Sequence, residues 1–287
     1  MAKTPRVNYF SKQPQFKFSF RSVLIFIVFS FVAWGINIFG QSIFPSQNMV
    51  PYLARTVITL IIDVIFVSLS IRLFKQNCLP PQAMGLSIAG GTLMEALVGV
   101  MIGFFAIAII AAALYISIPY HFVKGTLGIA QVSKESVSYL LGNSLEEILF
   151  RGFLFVVLSQ LTGWHISTLI MAFAFGLFHL QAVGFTVEGI KMVATTTSFG
   201  LIFGLSYVFT KSLWTAICTH VASNILLHAL AGLDGKNQAM FVPIFEKPWP
   251  KGYDVGLWVI LVDAAIVSCL LYRAISVRER KSKKLVS

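Results

Sequence analysis

Eight stretches of the chain are almost free of charge: near 22–40, 53–74, 92–118, 137–160, 164–181, 193–210, 212–231 and 255–272. They show neither the alternation of a half-buried strand nor the broad polar face of a surface helix. A helix apolar all round is buried in a large core or crosses a membrane. Crossing hydrocarbon takes roughly 20 apolar residues. The 164–181 and 193–210 runs are short for that and are expected to be tilted or set deep in the bundle. Prolines mark the breaks: Pro45 and Pro51, Pro80-Pro81, Pro119, and Pro243, Pro248 and Pro250 in the longest loop. The pattern predicts an all-α polytopic membrane protein of about eight transmembrane helices over 22–272. A basic N-terminal segment (1–21) and a basic C-terminal segment (273–287) flank it.

Composition sharpens this. Of 287 residues, 57% are hydrophobic and 11% charged, where soluble domains carry about 25% charged residues. The mean hydropathy is +0.82. An ordinary soluble enzyme and a disordered chain are both excluded. A net charge of +11 invites nucleic acid, but the positions of the charges argue against it. Lys3, Arg6, Lys12, Lys17 and Arg21 precede the first apolar run, and Arg273, Arg278, Arg280, Lys281, Lys283 and Lys284 end or follow the last. Flanking basic clusters fix a topology and meet anionic headgroups. With the N-terminus cytoplasmic, Arg72, Lys75 and Lys211 join those clusters. Arg55, Lys124, Lys134, Lys191, Lys236, Lys247 and Lys251 fall outside. The excess favours both ends in the cytoplasm. The first span is read as an uncleaved anchor, and short loops and basic tails point to a bacterial plasma membrane. Cys78, Cys218 and Cys269 have no close spacing, so no disulfide framework or zinc ribbon follows. Gly99-x-x-x-Gly103 and Gly200-x-x-x-Gly204 permit close helix approach, and Phe16-Lys17-Phe18-Ser19-Phe20 suits a membrane surface.

Polar groups within the apolar runs carry the chemistry, because a charge in hydrocarbon costs about 2.5–3.5 kcal/mol even on insertion scales. The densest set is Asn143, Ser144, Glu146, Glu147 and Arg151. Glu147 and Arg151 are four apart with the acid first, the better order for a helical ion pair. Glu146 is about 100° further round and five from Arg151. One acid can be neutralised and oriented while the other keeps a proton-transfer role. A buried network that merely pins helices together uses the same residues. Phe175 lies one turn before His179, and His220, Asn224 and His228 form a stripe at i, i+4 and i+8. Asp63, Asp263 and Glu95 are expected to be structural, with Asn37, a lysine or water as partners. At 1.5 Å per residue, Glu146 and His179 lie roughly 20 Å, and His220 roughly 13 Å, from the cytoplasmic ends of their spans. The constellation falls near the midplane or slightly beyond, and water must reach it through a cavity.

These residues resemble the three motifs of the CPBP family, the CAAX-protease and bacteriocin-processing (Abi) membrane proteins. Glu146-Glu147-x-x-x-Arg151 is similar to its E-E-x-x-x-R, Phe175-x-x-x-His179 to F-x-x-x-H, and His220-x-x-x-Asn224 to H-x-x-x-N/D. The resemblance covers about 137–231, the expected protease core. It implies an intramembrane endopeptidase with a glutamate-activated water, acting on a membrane-associated peptide or protein. Glu146 would be the general base, His179 would hold or polarise the water, and His220 and Asn224 would stabilise the oxyanion. Glu147, Arg151 and Phe175 would support them. Neutral histidine and asparagine can supply such donors without a buried charge. The family's eukaryotic members remove a C-terminal tripeptide from prenylated proteins; a bacterial substrate would be a pheromone, a bacteriocin leader or a small membrane protein.

No cofactor is expected, and zinc is the alternative, with Glu146, His179 and His220 as ligands and His228 as a spare. The scattered histidines do not form H-E-x-x-H. The alternative function is a non-proteolytic scaffold, immunity or regulatory protein bound to a membrane partner. A proton-coupled transporter is weakened by the lack of a repeat relating two halves.

Overall fold

The computed structural model describes residues 9–43, 49–88, 91–233, 238–247 and 254–284. Lys3, Arg6, Pro45, Lys236, Pro248, Pro250, Lys251 and the side chain of Asn37 lie outside the described residues. Helices follow the apolar runs: α1 (Phe20–Ile43), α2 (Met49–Gln76), α3 (Thr92–Ser117), α4 (Ile129–Glu147), α5 (Phe153–Thr162), α6 (Trp164–His179), α7 (Val187–Thr210), α8 (Leu213–Asn224) and α9 (Val255–Lys284). A wide π-helical turn, Ile148–Gly152, joins α4 to α5, with Gly152 at a non-helical ψ of -119°, and another, Ile225–Leu230, extends α8. Among the described residues, five helices are long and apolar enough to cross a membrane, and the apolar parts of α1 and α6 are shorter. Large hydrophobic side chains such as Leu60, Ile61, Val64, Met101 and Phe104 face outward. That would be a costly surface in water and is the natural one in lipid. The chain is an all-α integral membrane protein.

Four elements depart from the expected boundaries. The 193–210 run is not a short span, because α7 begins at Val187 and has 24 residues. Thr186 caps it, its hydroxyl accepting the Gly189 N–H at 3.0 Å, and the polar Glu188 and Lys191 hide its first turns from a hydropathy reading. The basic stretch after 272 is helical through Lys284, since Arg, Lys and Glu are good helix formers and no Gly or Pro interrupts them. The N-terminal segment is docked rather than loose. Phe10 is buried edge-on against Phe155 and Tyr207, and Gln160 bonds the backbone of both Tyr9 and Gln13. Finally, Tyr120–Lys124 (β1) and Phe241–Phe245 (β2) pair antiparallel, with Tyr120 opposite Phe245 and Phe122 opposite Pro243.

Interhelical glycines set the closest crossings. A Cβ on Gly99 would lie 2.4 Å from Thr215 O, and one on Gly103 would lie 2.6 Å from Thr219 O. Any side chain there would force α3 and α8 apart.

The bundle has two unlike ends. One gathers the start of α1, the end of α2, the α5–α6 and α7–α8 turns and the end of α9, through bonds such as Lys17 N–H to Asn77 O at 3.1 Å and Arg278 Nη1 to Phe209 O at 2.7 Å. This is the basic end. The other gathers the end of α3, the starts of α4, α7 and α9, and the strand pair, through Glu246 N–H to Pro119 O at 3.0 Å and Met240 N–H to Ala229 O at 2.9 Å.

Of the partners expected for Asp63 and Asp263 (Asn37, a lysine or water), the side chain of Asn37 lies outside the described residues. Both are buried, and neither Asp63 Oδ1 nor either oxygen of Asp263 has a hydrogen-bond partner among the described residues.

Candidate active site

The two carboxylates that end α4 point into different surroundings. Glu147 has no exposed side-chain surface. Its Oε1 accepts from Arg151 Nη1 at 3.1 Å and lies 2.9 Å from His220 Nδ1. Arg151 is equally buried, and its Nη2 donates to Gly200 O at 2.8 Å. Gly200 makes room for this: a Cβ there would lie 3.1 Å from the Ala172 Cα and 3.2 Å from Arg151 Nη2. The guanidinium carbon sits 4.6 Å from the centroid of Phe175, a desolvated cation–π contact. Phe175 meets His179 and His220 edge-on, at 4.6 and 5.7 Å between centroids. Phe203 stacks on His220 at 4.2 Å with the planes 21° apart. His220 is thus clamped between a ring and a carboxylate.

Glu146 turns the other way. Its side chain is 24% exposed, and His179 is 26% exposed. Its Oε2 lies 3.9 Å from His179 Nε2 and also 3.9 Å from His220 Nε2. Each imidazole is oriented through its other nitrogen, since His179 Nδ1 lies 2.9 Å from Phe175 O and a carbonyl can only accept. One turn along α8 from His220, Asn224 Nδ2 donates to Asn143 Oδ1 at 3.2 Å, leaving its second amide hydrogen available. The wide turns begin directly after Glu147 and directly after Asn224; such turns recur at functional sites because they shift the phase of the side chains that follow.

A cavity of about 1060 Å³ joins these groups, lined by Glu146, His179, His220 and Asn224. His228 also lines it and lies against the Tyr139 ring at 6.2 Å. At the far end are Lys191 and Asp254, paired at 3.0 Å. The Leu257 N–H and the Lys191 ammonium hold the Asp254 carboxyl below the usual carboxylate range. Among the described residues, no group of three or more His, Cys, Asp and Glu is gathered as metal ligands. The residues of the zinc alternative, Glu146, His179 and His220, nonetheless face one another, with Glu146 Oε2 3.9 Å from each Nε2.

All seven residues singled out from the sequence come together: Glu146, Glu147, Arg151, Phe175, His179, His220 and Asn224. Others were missed. The Glu147–His220 contact joins positions 73 apart and leaves no local trace. Phe203 is one aromatic in an apolar run. Asn143 was visible as a polar break, and Gly200 as half of a Gly-x-x-x-Gly pair.

Comparison with known proteins bears on the same segment. A family model described as Type II CAAX prenyl endopeptidase Rce1-like matches residues 136–226. The chain is 32% identical over 88 residues to a Bacillus subtilis (strain 168) protein named "Putative membrane peptidase YdiL", an alignment covering 31% of this chain and 33% of that one. The chain thus spans about a third of the length of the curated relative it matches. The matched segment begins within α4 and ends just past Asn224, enclosing Glu146, Glu147, Arg151, His179, His220 and Asn224, so the part of this polytopic membrane protein that holds these groups is the part similar to the Rce1-like family.

Proposed function

We propose that the protein is an intramembrane endopeptidase of the CAAX-protease type, hydrolysing a peptide bond of a membrane-associated protein or peptide with a water activated by Glu146. The observation that carries this is the placement of Glu146 Oε2, 3.9 Å from two imidazole Nε2 atoms at the cavity wall. That separation is too long for a hydrogen bond and spans one bridging water. Glu146 takes a proton from that water as it attacks the scissile carbonyl, and returns it to the leaving amine. His179, donating Nδ1–H to Phe175 O, presents an Nε2 lone pair that holds the water.

Oxyanion stabilisation falls to Asn224 and His220. Glu147 Oε1 lies 3.1 Å from Arg151 Nη1 and 2.9 Å from His220 Nδ1, which holds the His220 ring with its Nε2 turned toward Glu146 and the cavity.

Cleavage of a fluorogenic peptide library by purified protein in detergent tests the reading, with Glu146→Gln beside the wild type and a chelator in parallel. Turnover that survives the chelator and vanishes in the variant supports the glutamate mechanism. Turnover lost with the chelator and restored by zinc replaces it with a metal mechanism, the second reading, favoured by the two Nε2 atoms that face one carboxylate. Full turnover in Glu146→Gln rules out Glu146 as the base.

A further inference from the structure

We infer that substrate and water reach Glu146 from the membrane face opposite the basic end, so that the substrate is an extracytoplasmic peptide segment and not a cytoplasmic C-terminus. This rests on the peptidase reading of the same site and adds the side on which it works.

The cavity is closed toward the basic end. Passing from the site along α5, Phe153 and Phe155 follow Arg151, and both are fully buried. Along α7, Tyr207 lies one turn beyond Phe203 and is fully buried, its hydroxyl donating to Met84 O at 2.9 Å. Along α8, Leu213, Ala216 and Ile217 precede His220, none more than 1% exposed. Phe10 closes the stack from below, edge-on to Phe155 and Tyr207. Among the described residues, a filled and largely aromatic core separates the site from the basic end.

Toward the other end the cavity continues. Lys191, Thr195, Phe199 and Phe203 all line it, four residues apart and therefore on one face of α7. Twelve residues of helix span roughly 18 Å, and an extended peptide covers that with about five residues at 3.3–3.6 Å each. The opposite wall is the start of α9, where Asp254, Val255 and Ile260 contribute. The rim is marked by Lys191, which is 33% exposed and pairs with Asp254 at 3.0 Å and Glu188 at 2.9 Å. The mouth therefore opens where α7 and α9 begin.

Charge assigns the two ends to compartments. Lys12, Lys17, Arg21, Arg72, Lys75, Lys211, Arg273 and Arg278 all belong to the end that is closed. At the mouth end, Arg55, Lys124, Lys134, Lys191 and Lys247 are offset by Glu135, Glu188, Glu246 and Asp254 among the described residues. Basic segments stay in the cytoplasm, so the closed end is cytoplasmic and the mouth is outside.

Single-cysteine labelling of the full chain in sealed spheroplasts tests this, using a membrane-impermeant sulfonated maleimide before and after lysis. Cys78 is native and exposed at the basic end; with Cys218→Ala and Cys269→Ala it reports that face. Glu188→Cys, at a side chain 69% exposed, reports the mouth when Cys78→Ser is added. Thr195→Cys, about two turns deeper along α7, reports the cavity itself. We expect Glu188→Cys and Thr195→Cys to label at least tenfold faster than Cys78 in sealed spheroplasts, and all three to label after lysis. Cys78 labelling first, Thr195→Cys labelling only after lysis, or equal labelling of all three before lysis overturns the assignment. Turnover in detergent has no sidedness. A protein active in detergent but labelled in the reverse pattern loses only the compartment assignment, and one labelled as expected but inactive on every peptide loses only the peptidase reading.

Discussion

Glu147 and Glu146 are adjacent in the chain and differ in almost everything their surroundings impose. Glu147 is fully enclosed and shares one oxygen between Arg151 and His220, whose ring packs against Phe175 and Phe203. Glu146 keeps about a quarter of its side chain exposed to the cavity and stands 3.9 Å from its two histidines. The enclosed side is a framework in which charge is neutralised by contact. The open side holds groups close enough to share a water and too far apart to satisfy one another. A helix turn of about 100° per residue is enough to divide consecutive acids between these tasks, which explains why the pair occurs as neighbours and not at helical spacing.

Substitutions on the two sides should fail in different ways. Glu146→Gln should lower kcat by roughly 10²- to 10⁴-fold, the range of general acid–base catalysis, while leaving thermal unfolding in detergent unchanged; a parallel loss of melting temperature would make Glu146 part of the framework. Arg151→Met should do the reverse. Removing one partner of a buried pair costs about 3–5 kcal/mol, and adding Glu147→Gln should return part of it, because residues in one network do not add. Unfolding midpoints of the single and double variants measure this, and strict additivity would argue against the contact. Asn224→Ala should reduce kcat by roughly 100-fold with KM little changed, as loss of one oxyanion donor does; a change confined to KM would make Asn224 a binding residue.

Smaller effects probe the edges. Phe203→Leu removes the ring stacked on His220 and should cost about 0.5–1.5 kcal/mol, with a modest fall in kcat at constant KM. Asp254→Asn loosens the rim and should alter KM alone. The Asp254 carboxyl is held below the usual carboxylate range by the Leu257 N–H and Lys191. The rim pair is therefore intact at neutral pH and is lost only as pH falls through that lowered value. The KM of wild type and Asp254→Asn should converge at acidic pH, and divergence there would show that the pair does not shape the mouth.

The sequence revealed those parts of the site that obey helical spacing. Glu147 and Arg151 at i and i+4, Phe175 beside His179, and His220 with Asn224 on one stripe all follow from periodicity, and the cost of charge in hydrocarbon marks them out. What it concealed is tertiary. Nothing local says that His220 finds Glu147, or that Phe203 is the ring that holds it, because an aromatic in an apolar run has no signature. The docked Phe10 is hidden for the same reason, in a segment whose basic charges suggested only a tail. The start of α7 was lost to hydropathy because Glu188 and Lys191 are polar, although Thr186 is a good cap. The strand pair was read as loop because Pro119 and Pro243 punctuate it.

The division of labour between the two glutamates is tested most directly by turnover of a fluorogenic peptide by purified Glu146→Gln and Glu147→Gln, each normalised to its correctly folded fraction from thermal unfolding. The account predicts a fully folded but inactive Glu146→Gln, and a Glu147→Gln whose main loss is stability, with measurable turnover in the folded remainder. An active Glu146→Gln beside a folded, inactive Glu147→Gln would reverse the roles of the two carboxylates.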